Sequence, residues 1–413
     1  MSSCSYDSTK DNFPVKQTLD TPGVTLKYYN TYKVLTYEDQ LTQTTRTYIL
    51  YLCGTEDWKA EISNSPSGYT PLEIPLTSIS IQKAKGREAL GFFERLQLTE
   101  KITAITSKDM AEFPCFSKTG SSIPSGGTRL HLGPSVSAST SEADMPFREM
   151  VQTSDSPMGR FQVGLSIVSA LYNEEEKADA LYKKVQESYK CNERSVFKPK
   201  EKAMWLSFDD DNAMYGNVEG KVMPKLFADA ALEYEPANTA GELSGVFTDV
   251  AFVVDESSES AVATNAAQII LMDQHVGSDG DSIFAYSRYA YPDHVLADLI
   301  KTIEGDSLPN HEMRFMRGIE QPVKELKKCH IAPPASSTCN PQFDGVVVAR
   351  DNGSTIATFA LIAVLVLLLG ALAFFVYNYV QKKYEKRGMN PSRFASGPER
   401  DVALASLRGG MRL

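Results

Sequence analysis

Few side chains in this sequence could do chemistry, and their spacing excludes most reactions. The five histidines, His131, His275, His294, His311 and His330, form no H-E-x-x-H pattern and no pair four residues apart, so a helical zinc site of that kind is excluded. Asp209-Asp210-Asp211-Asn212 is followed by Met214 and Gly220 where a calcium loop needs other residues, and it reads as a solvated turn. Lys118-Thr119-Gly120-Ser121 has the wrong order for a phosphate-cradling loop. There is no G-x-S-x-G elbow. No catalytic residue, metal ligand or cofactor is therefore expected. Lys83 and Arg87 follow a short Ile79-Ser80-Ile81 strand, at the exit of an α/β sheet where ligands usually gather. Their plainer reading is as surface cations. Trp205 lies within a strand, where core packing is favoured over stacking on a ligand.

The 413 residues exceed one ordinary core and suit two domains with additions. Hydrophobic and charged contents of 42% and 23% are those of a globular chain, not of a disordered or collagen-like one. The net charge of −10 argues against nucleic acid as a partner. Charge is unevenly spread. Gln381–Leu413 carries eight basic and three acidic residues, a net of +5, which leaves −15 on the rest. Between them Ser354–Val380 is free of charge, and is long enough for a transmembrane helix, which needs about 20 apolar residues. Tyr377 and Tyr379 then sit in an aromatic belt. Lys382, Lys383, Lys386 and Arg387 place the tail in the cytoplasm and the body outside. Met1–Ser5 has no apolar signal core, so either a signal peptide precedes the residues given, the favoured reading, or the charge-free segment is a tail anchor that would leave the body in the cytosol.

Six cysteines are too few for a disulfide scaffold, and none forms C-x-x-C. Cys329 and Cys339 flank Pro333-Pro334. They read either as a disulfide stapling the chain outside the membrane or as free buried thiols.

Certain elements must position these residues. Leu26–Tyr29, Tyr32–Tyr37 and Thr47–Leu52 have the β-branched and aromatic content of strands. The Ile79–Ile81 strand, a helix over Arg87–Leu98 and a strand over Ile102–Ile105 suggest a βαβ unit. Pro114–Asp144 reads as a long Ser/Gly/Pro-rich loop. Ser156 is an N-cap with Pro157 at the first helical position. The apolar stripe Phe161, Leu165, Val168, Leu171, Ala178, Leu181, Val185 and Tyr189 predicts one helix to Lys190, about 50 Å long at 1.5 Å per residue. Strands over Ala203–Phe208, Val250–Val254 and Gln268–Met272 and a helix over Pro292–Glu304 follow.

Some of these segments are specific. Ser156-Pro157-Met158-Gly159-Arg160, Leu171–Ala178, Tyr291–Ile300 with its Pro-Asp-x-Val-Leu-Ala-Asp-Leu run, Leu308–Glu312, and Phe13-Pro14 with Tyr28 and Tyr32-Lys33-Val34 occur in order. Over roughly residues 4–320 the chain resembles the helical-backbone (type III) periplasmic substrate-binding proteins of ABC transporters for iron-siderophore and cobalamin uptake, and their membrane-tethered algal relatives. It departs in its membrane segment, its basic tail and two cleft positions. Gln82–Arg87 replaces a Ser-Thr-Thr-His-like run, and Ser282-Ile283-Phe284 an aromatic pair.

The resemblance implies an α/β fold of two lobes on one long backbone helix, with a ferric siderophore or similar iron complex between the lobes. The expected divisions are an N-terminal α/β lobe (1–152), a linking helix (153–190), a C-terminal α/β lobe (191–330), a juxtamembrane stalk (331–353), a transmembrane helix (354–380) and a cytoplasmic tail (381–413). Arginine and lysine suit ligand oxygens, and aromatics the organic shell. On that basis Lys83, Arg87, Trp205, Tyr286 and Arg288 are the expected ligand residues, the last two facing the cleft ahead of the final helix. The expected role is a plasma-membrane receptor for iron uptake, with no enzymatic activity. An ABC permease, a ferric reductase or the endocytic machinery would take the ligand onward. A corrinoid or haem receptor is the nearest alternative; a ligand-free structural or adhesion protein is the alternative of another class.

Overall fold

A computed structural model describes residues 6–39, 42–63, 68–81, 86–105, 115–116, 129–132, 143–194, 201–209, 214–217, 221–236, 250–256, 268–277, 280, 282–305, 308–327, 329, 331–333 and 335. The first strands form a meander. β1 (Leu19–Thr21), β2 (Val24–Tyr28), β3 (Tyr32–Asp39) and β4 (Thr44–Leu52) pair antiparallel in order, and β5 (Tyr69–Ile74) joins β4 in parallel after α1 (Trp58–Ser63). A second sheet is wholly parallel, in the order β7-β6-β8-β9. Its strands are β6 (Ser78–Ile81), β7 (Ile102–Ile105), β8 (Arg129–Leu132) and β9 (Ala143–Met145). A 3-10 turn over Arg87–Ala89 and α2 (Leu90–Arg95) carry the chain from β6 to β7, as the βαβ pattern predicts. β8 and β9 correct the reading of Pro114–Asp144 as loop throughout. Its Ser/Gly-rich composition hides two short strands, and Leu130 and Leu132 become fully buried only because β6 and β9 flank them.

After α3 (Phe147–Val151) comes α4 (Pro157–Tyr172), capped as expected: Ser156 Oγ accepts the Gly159 N–H at 3.0 Å. The expected 50 Å helix does not run through. It stops at Asn173 and resumes as α5 (Glu175–Asn192). Asn173 adopts φ 57°, ψ 39°, a left-handed cap that Asn tolerates better than most residues. A buried lysine fixes the break. Lys33 Nζ donates to Ala170 O at 2.9 Å and Asn173 Oδ1 at 2.8 Å, and pairs with Glu175. A cation at a helix C-terminus satisfies carbonyls and complements the helix dipole. The apolar periodicity continues across the break, so spacing alone cannot reveal it.

The third sheet has the order β11-β10-β13-β14-β16, with β12 (Glu233–Tyr234) also on β10. β10 (Lys202–Asp209), β13 (Phe252–Asp255) and β14 (Gln268–Leu271) run parallel, while β11 (Met214–Asn217) and β16 (Arg317–Gly318) close the edges antiparallel. β15 (His275–Val276) pairs separately with β17 (Lys324–Glu325). Its helices are α6 (Val222–Asp229), α7 (Phe284–Ser287) and α8 (Pro292–Glu304). The first two sheets come from the N-terminal part of the chain and the third from the C-terminal part, all within one compact unit. α4 is buried along most of its length and contacts α2, α6 and α8. An apolar core runs from Phe13 to Ala332 through these elements.

Ionic groups stiffen that core. Arg95 pairs with Asp293 at 3.2 Å, and Arg314 bonds Glu94 at 2.8 Å. Both guanidiniums lie on the Tyr291 ring, at 4.1 and 4.2 Å from its centre. Asp298 accepts the N–H groups of Arg314, Phe315 and Met316 and bonds His311. Every one of these groups is buried, and such ions persist only when paired and hydrogen-bonded.

Cys329 does not pair with Cys339, nor is it free. It is bonded to Cys115 across 214 residues. Cys53 and Cys191 are also in disulfides. Residues 331–333 and 335, assigned by sequence to the stalk, pack on the body: His294 Nε2 donates to Pro333 O at 2.9 Å and Ala335 N to Asp293 at 2.9 Å. The expected transmembrane segment 354–380, the tail, Lys83 and Asp210–Asn212 lie outside the described residues. Among the described residues no helix is long and apolar enough to cross a membrane.

Candidate functional site

Beyond the C-terminal ends of β6 and β13, charged side chains from the two parallel-stranded sheets come together. β6 is central in its parallel sheet, and the chain re-emerges beyond it at Arg87-Glu88-Ala89. β13 is central in the other sheet and ends at Asp255, so Glu256 stands just past the edge. Ligand crevices of α/β sheets lie at such carboxyl ends. α2 and α7 close the junction from below. A Cβ on Gly91 of α2 would stand 2.8 Å from Ser287 Cα of α7, so only glycine permits that approach.

Arg288, at the C-terminal end of α7, links Glu256 and Glu88. Its Nη1 lies 3.3 Å from both oxygens of Glu256, and its Nη2 is 4.0 Å from Glu88. Glu256 also accepts the Trp205 indole N–H at 2.8 Å. On the other side Arg148 of α3 approaches Glu88 at 3.6 Å. Glu88 is fully buried, yet among the described residues neither of its carboxylate oxygens has a hydrogen-bond partner. A desolvated carboxylate without donors is costly. It is held here by two guanidiniums beyond hydrogen-bonding distance. Arg148 keeps about a third of its side chain exposed (34%), so the arginine side of the pair is reachable from solvent.

Aromatic surface adjoins these charges. Tyr289 lies under Arg288 and Arg160, at 5.0 and 5.3 Å, and its hydroxyl accepts from Gln152 at 3.1 Å. A cavity of about 30 Å³ remains between Arg160, Trp205, Met223, Phe284, Arg288 and Tyr289. That is room for a water, not an organic ligand. A larger ligand would have to sit at the exposed side of the junction, against Arg148.

The expected ligand residues divide accordingly. Trp205 and Arg288 meet on Glu256, and Arg87 adjoins Glu88 with its Nε free of hydrogen bonds among the described residues. Trp205 has no exposed surface and packs on Phe227 and Phe284. Its role at the junction is to orient Glu256. Tyr286 turns into the core against Phe116. Burial, then the Glu94 charge, pushes its hydroxyl far above the usual phenol range, so it is a neutral packing group. Sequence reasoning missed Glu88, Arg148, Glu256 and Tyr289. Glu88 was the most accessible omission, beside Arg87 at the same strand exit.

No protein-family profile and no curated protein matches the chain in sequence. Solved structures with some likeness include a periplasmic binding protein from Veillonella parvula DSM 2008 (10% identity, TM-score 0.33, covering 59% of this chain and 87% of that one). Another is the periplasmic heme-binding protein RhuT from Roseiflexus sp. RS-1 in apo form (10% identity, TM-score 0.34, 54% and 99% covered). A third is the heme-binding protein HmuT (14% identity, TM-score 0.33, 72% and 95% covered).

Proposed function

We propose that the protein is a membrane-anchored receptor that binds an oxygen-rich metal complex, of the ferric-siderophore kind, at the junction of its two lobes. The observation that carries this reading is Glu88: a buried carboxylate with no hydrogen bond, between guanidiniums contributed by both lobes. A ligand bearing both donors and acceptors would satisfy Glu88 and engage Arg148 together. The ligand kind follows the sequence resemblance over residues 4–320. The Cys115–Cys329 bond supports a body facing an oxidising compartment, in keeping with the charge-free segment and the basic tail. Steering by net charge is poor for an anionic ligand, because the body is acidic, so attraction is local to the arginines.

Titrating the chain with ferric hydroxamates, ferric catecholates, haem and cobalamin tests this, with tryptophan quenching as readout. Only Trp58 and Trp205 report, and Trp205 adjoins the junction. Saturable quenching by one class, lost in Arg148→Ala, is expected. Silence from a folded protein across the panel would overturn the reading in favour of a structural role. Quenching by haem or cobalamin alone would replace the siderophore with that ligand.

A further inference from the structure

A second cavity lies apart from the lobe junction, beneath the segment leading to Ala335. It measures about 200 Å³, and His275, His294 and His311 share its lining with Asn310, Glu312 and Pro333. Hydrogen bonds fix the tautomer of each ring. His275 Nδ1 donates to Arg314 O at 2.8 Å, His294 Nε2 to Pro333 O at 2.9 Å, and His311 Nε2 to the Asp298 carboxylate. A carbonyl cannot donate, and Asp298 already accepts three backbone N–H groups, so the proton sits on those nitrogens. In the neutral rings the opposite nitrogens hold lone pairs. For His294 and His311, each more than nine-tenths buried, that nitrogen is Nδ1, and among the described residues neither has a partner.

An imidazole whose outer N–H is tied to a carbonyl or carboxylate is the usual form of a metal-ligating histidine, because the second bond orients the ring and raises its basicity. His294 and His311 have ring centres 5.8 Å apart. Two rings sharing one ion at about 2.1 Å from nitrogen would have centres roughly 5–6 Å apart. We propose that this cavity binds a divalent first-row transition ion of the imidazole-preferring kind through His294 and His311 Nδ1, with water in the remaining positions. Among the described residues no three His, Cys, Asp or Glu side chains could hold an ion by themselves. The site is therefore a two-imidazole one with open positions. Nickel, copper and zinc suit such nitrogen donors. Pro333 O orients one ligand and Asp298 the other, so the ion would tie α8 to the loop that carries His311.

The test uses the full-length chain, stripped of metal by chelator and titrated with Ni²⁺ and Zn²⁺. One ion per chain is expected. His294→Gln and His311→Gln keep a side-chain N–H for Pro333 O and Asp298 but remove the lone-pair nitrogen. Each should weaken binding about tenfold or more, with the melting temperature of the metal-free protein nearly unchanged. Absence of one-to-one binding, or binding undiminished in the double variant, would overturn the site. A readout independent of the variants is the electron paramagnetic resonance of the Cu²⁺-loaded wild type. Coupling to two imidazole nitrogens is expected, and a spectrum without nitrogen coupling would also overturn the site. Neither experiment involves the lobe junction, so its outcome leaves the receptor reading untouched.

Discussion

Lys33 shows how much one side chain can decide. It is fully buried under Phe13 and bound to the end of α4 and to Glu175. Burial lowers its amine from 10.5 to about 8, although Glu175 opposes the shift. The folded protein therefore gives up this proton at lower pH than the unfolded chain. Stability should rise as pH climbs from about 8 to 10.5, by up to about 3 kcal/mol, and Lys33→Met should abolish the rise. Urea melts at a series of pH values would show it. At the junction, Glu88→Gln should leave the melting temperature within a few degrees, because the carboxylate makes no hydrogen bond there. The same change should weaken ligand binding about tenfold, worth ~1.4 kcal/mol. Unchanged affinity would remove Glu88 from the site.

At the scale of elements, the strands and caps were legible where local chemistry sets them. Ser156 caps α4 as read, and Pro292 opens α8. The helix break and the strands β8 and β9 were not legible, because tertiary partners make them. Lys33 comes from a strand some 140 residues away to hold Asn173, and β8 is a strand only between β6 and β9. The Pro-Asp-x-Val-Leu-Ala-Asp-Leu run was read as a family signature. Its two aspartates prove to be scaffold: Asp293 pairs with Arg95, and Asp298 gathers three backbone N–H groups. Asp298→Ala should therefore cost about 3–5 kcal/mol, seen as a large fall in melting temperature. Gly91→Ala forces a methyl against the α7 backbone at 2.8 Å. It should destabilise the α2–α7 contact by about 1–3 kcal/mol, with faster amide exchange in α2 and α7 as the measurement.

For the whole molecule, the α/β class was legible from the alternation of strand and helix patterns. The candidate site was legible only in part. Arg288 and Trp205 could be named from the sequence, but their common partner Glu256 and the facing Glu88 lie far apart in sequence, and only the folded sheets bring them together. The cysteine pairing was hidden for the same reason, since Cys115 and Cys329 are 214 residues apart. Closing so long a loop removes chain entropy worth about 5 kcal/mol from the unfolded state. Cys115→Ser with Cys329→Ser should lower stability by an amount of that order in denaturant titration.

That bond also governs how the chain answers to mechanical load. A tether pulling along the polypeptide passes its force from Cys115 to Cys329 directly, and the backbone between them is bypassed while the bond holds. Reduction would release that span as slack of about 750 Å, at roughly 3.5 Å per residue. A chain pulled from its two ends would keep the third sheet, and the Glu256 side of the junction, out of the covalent line of tension.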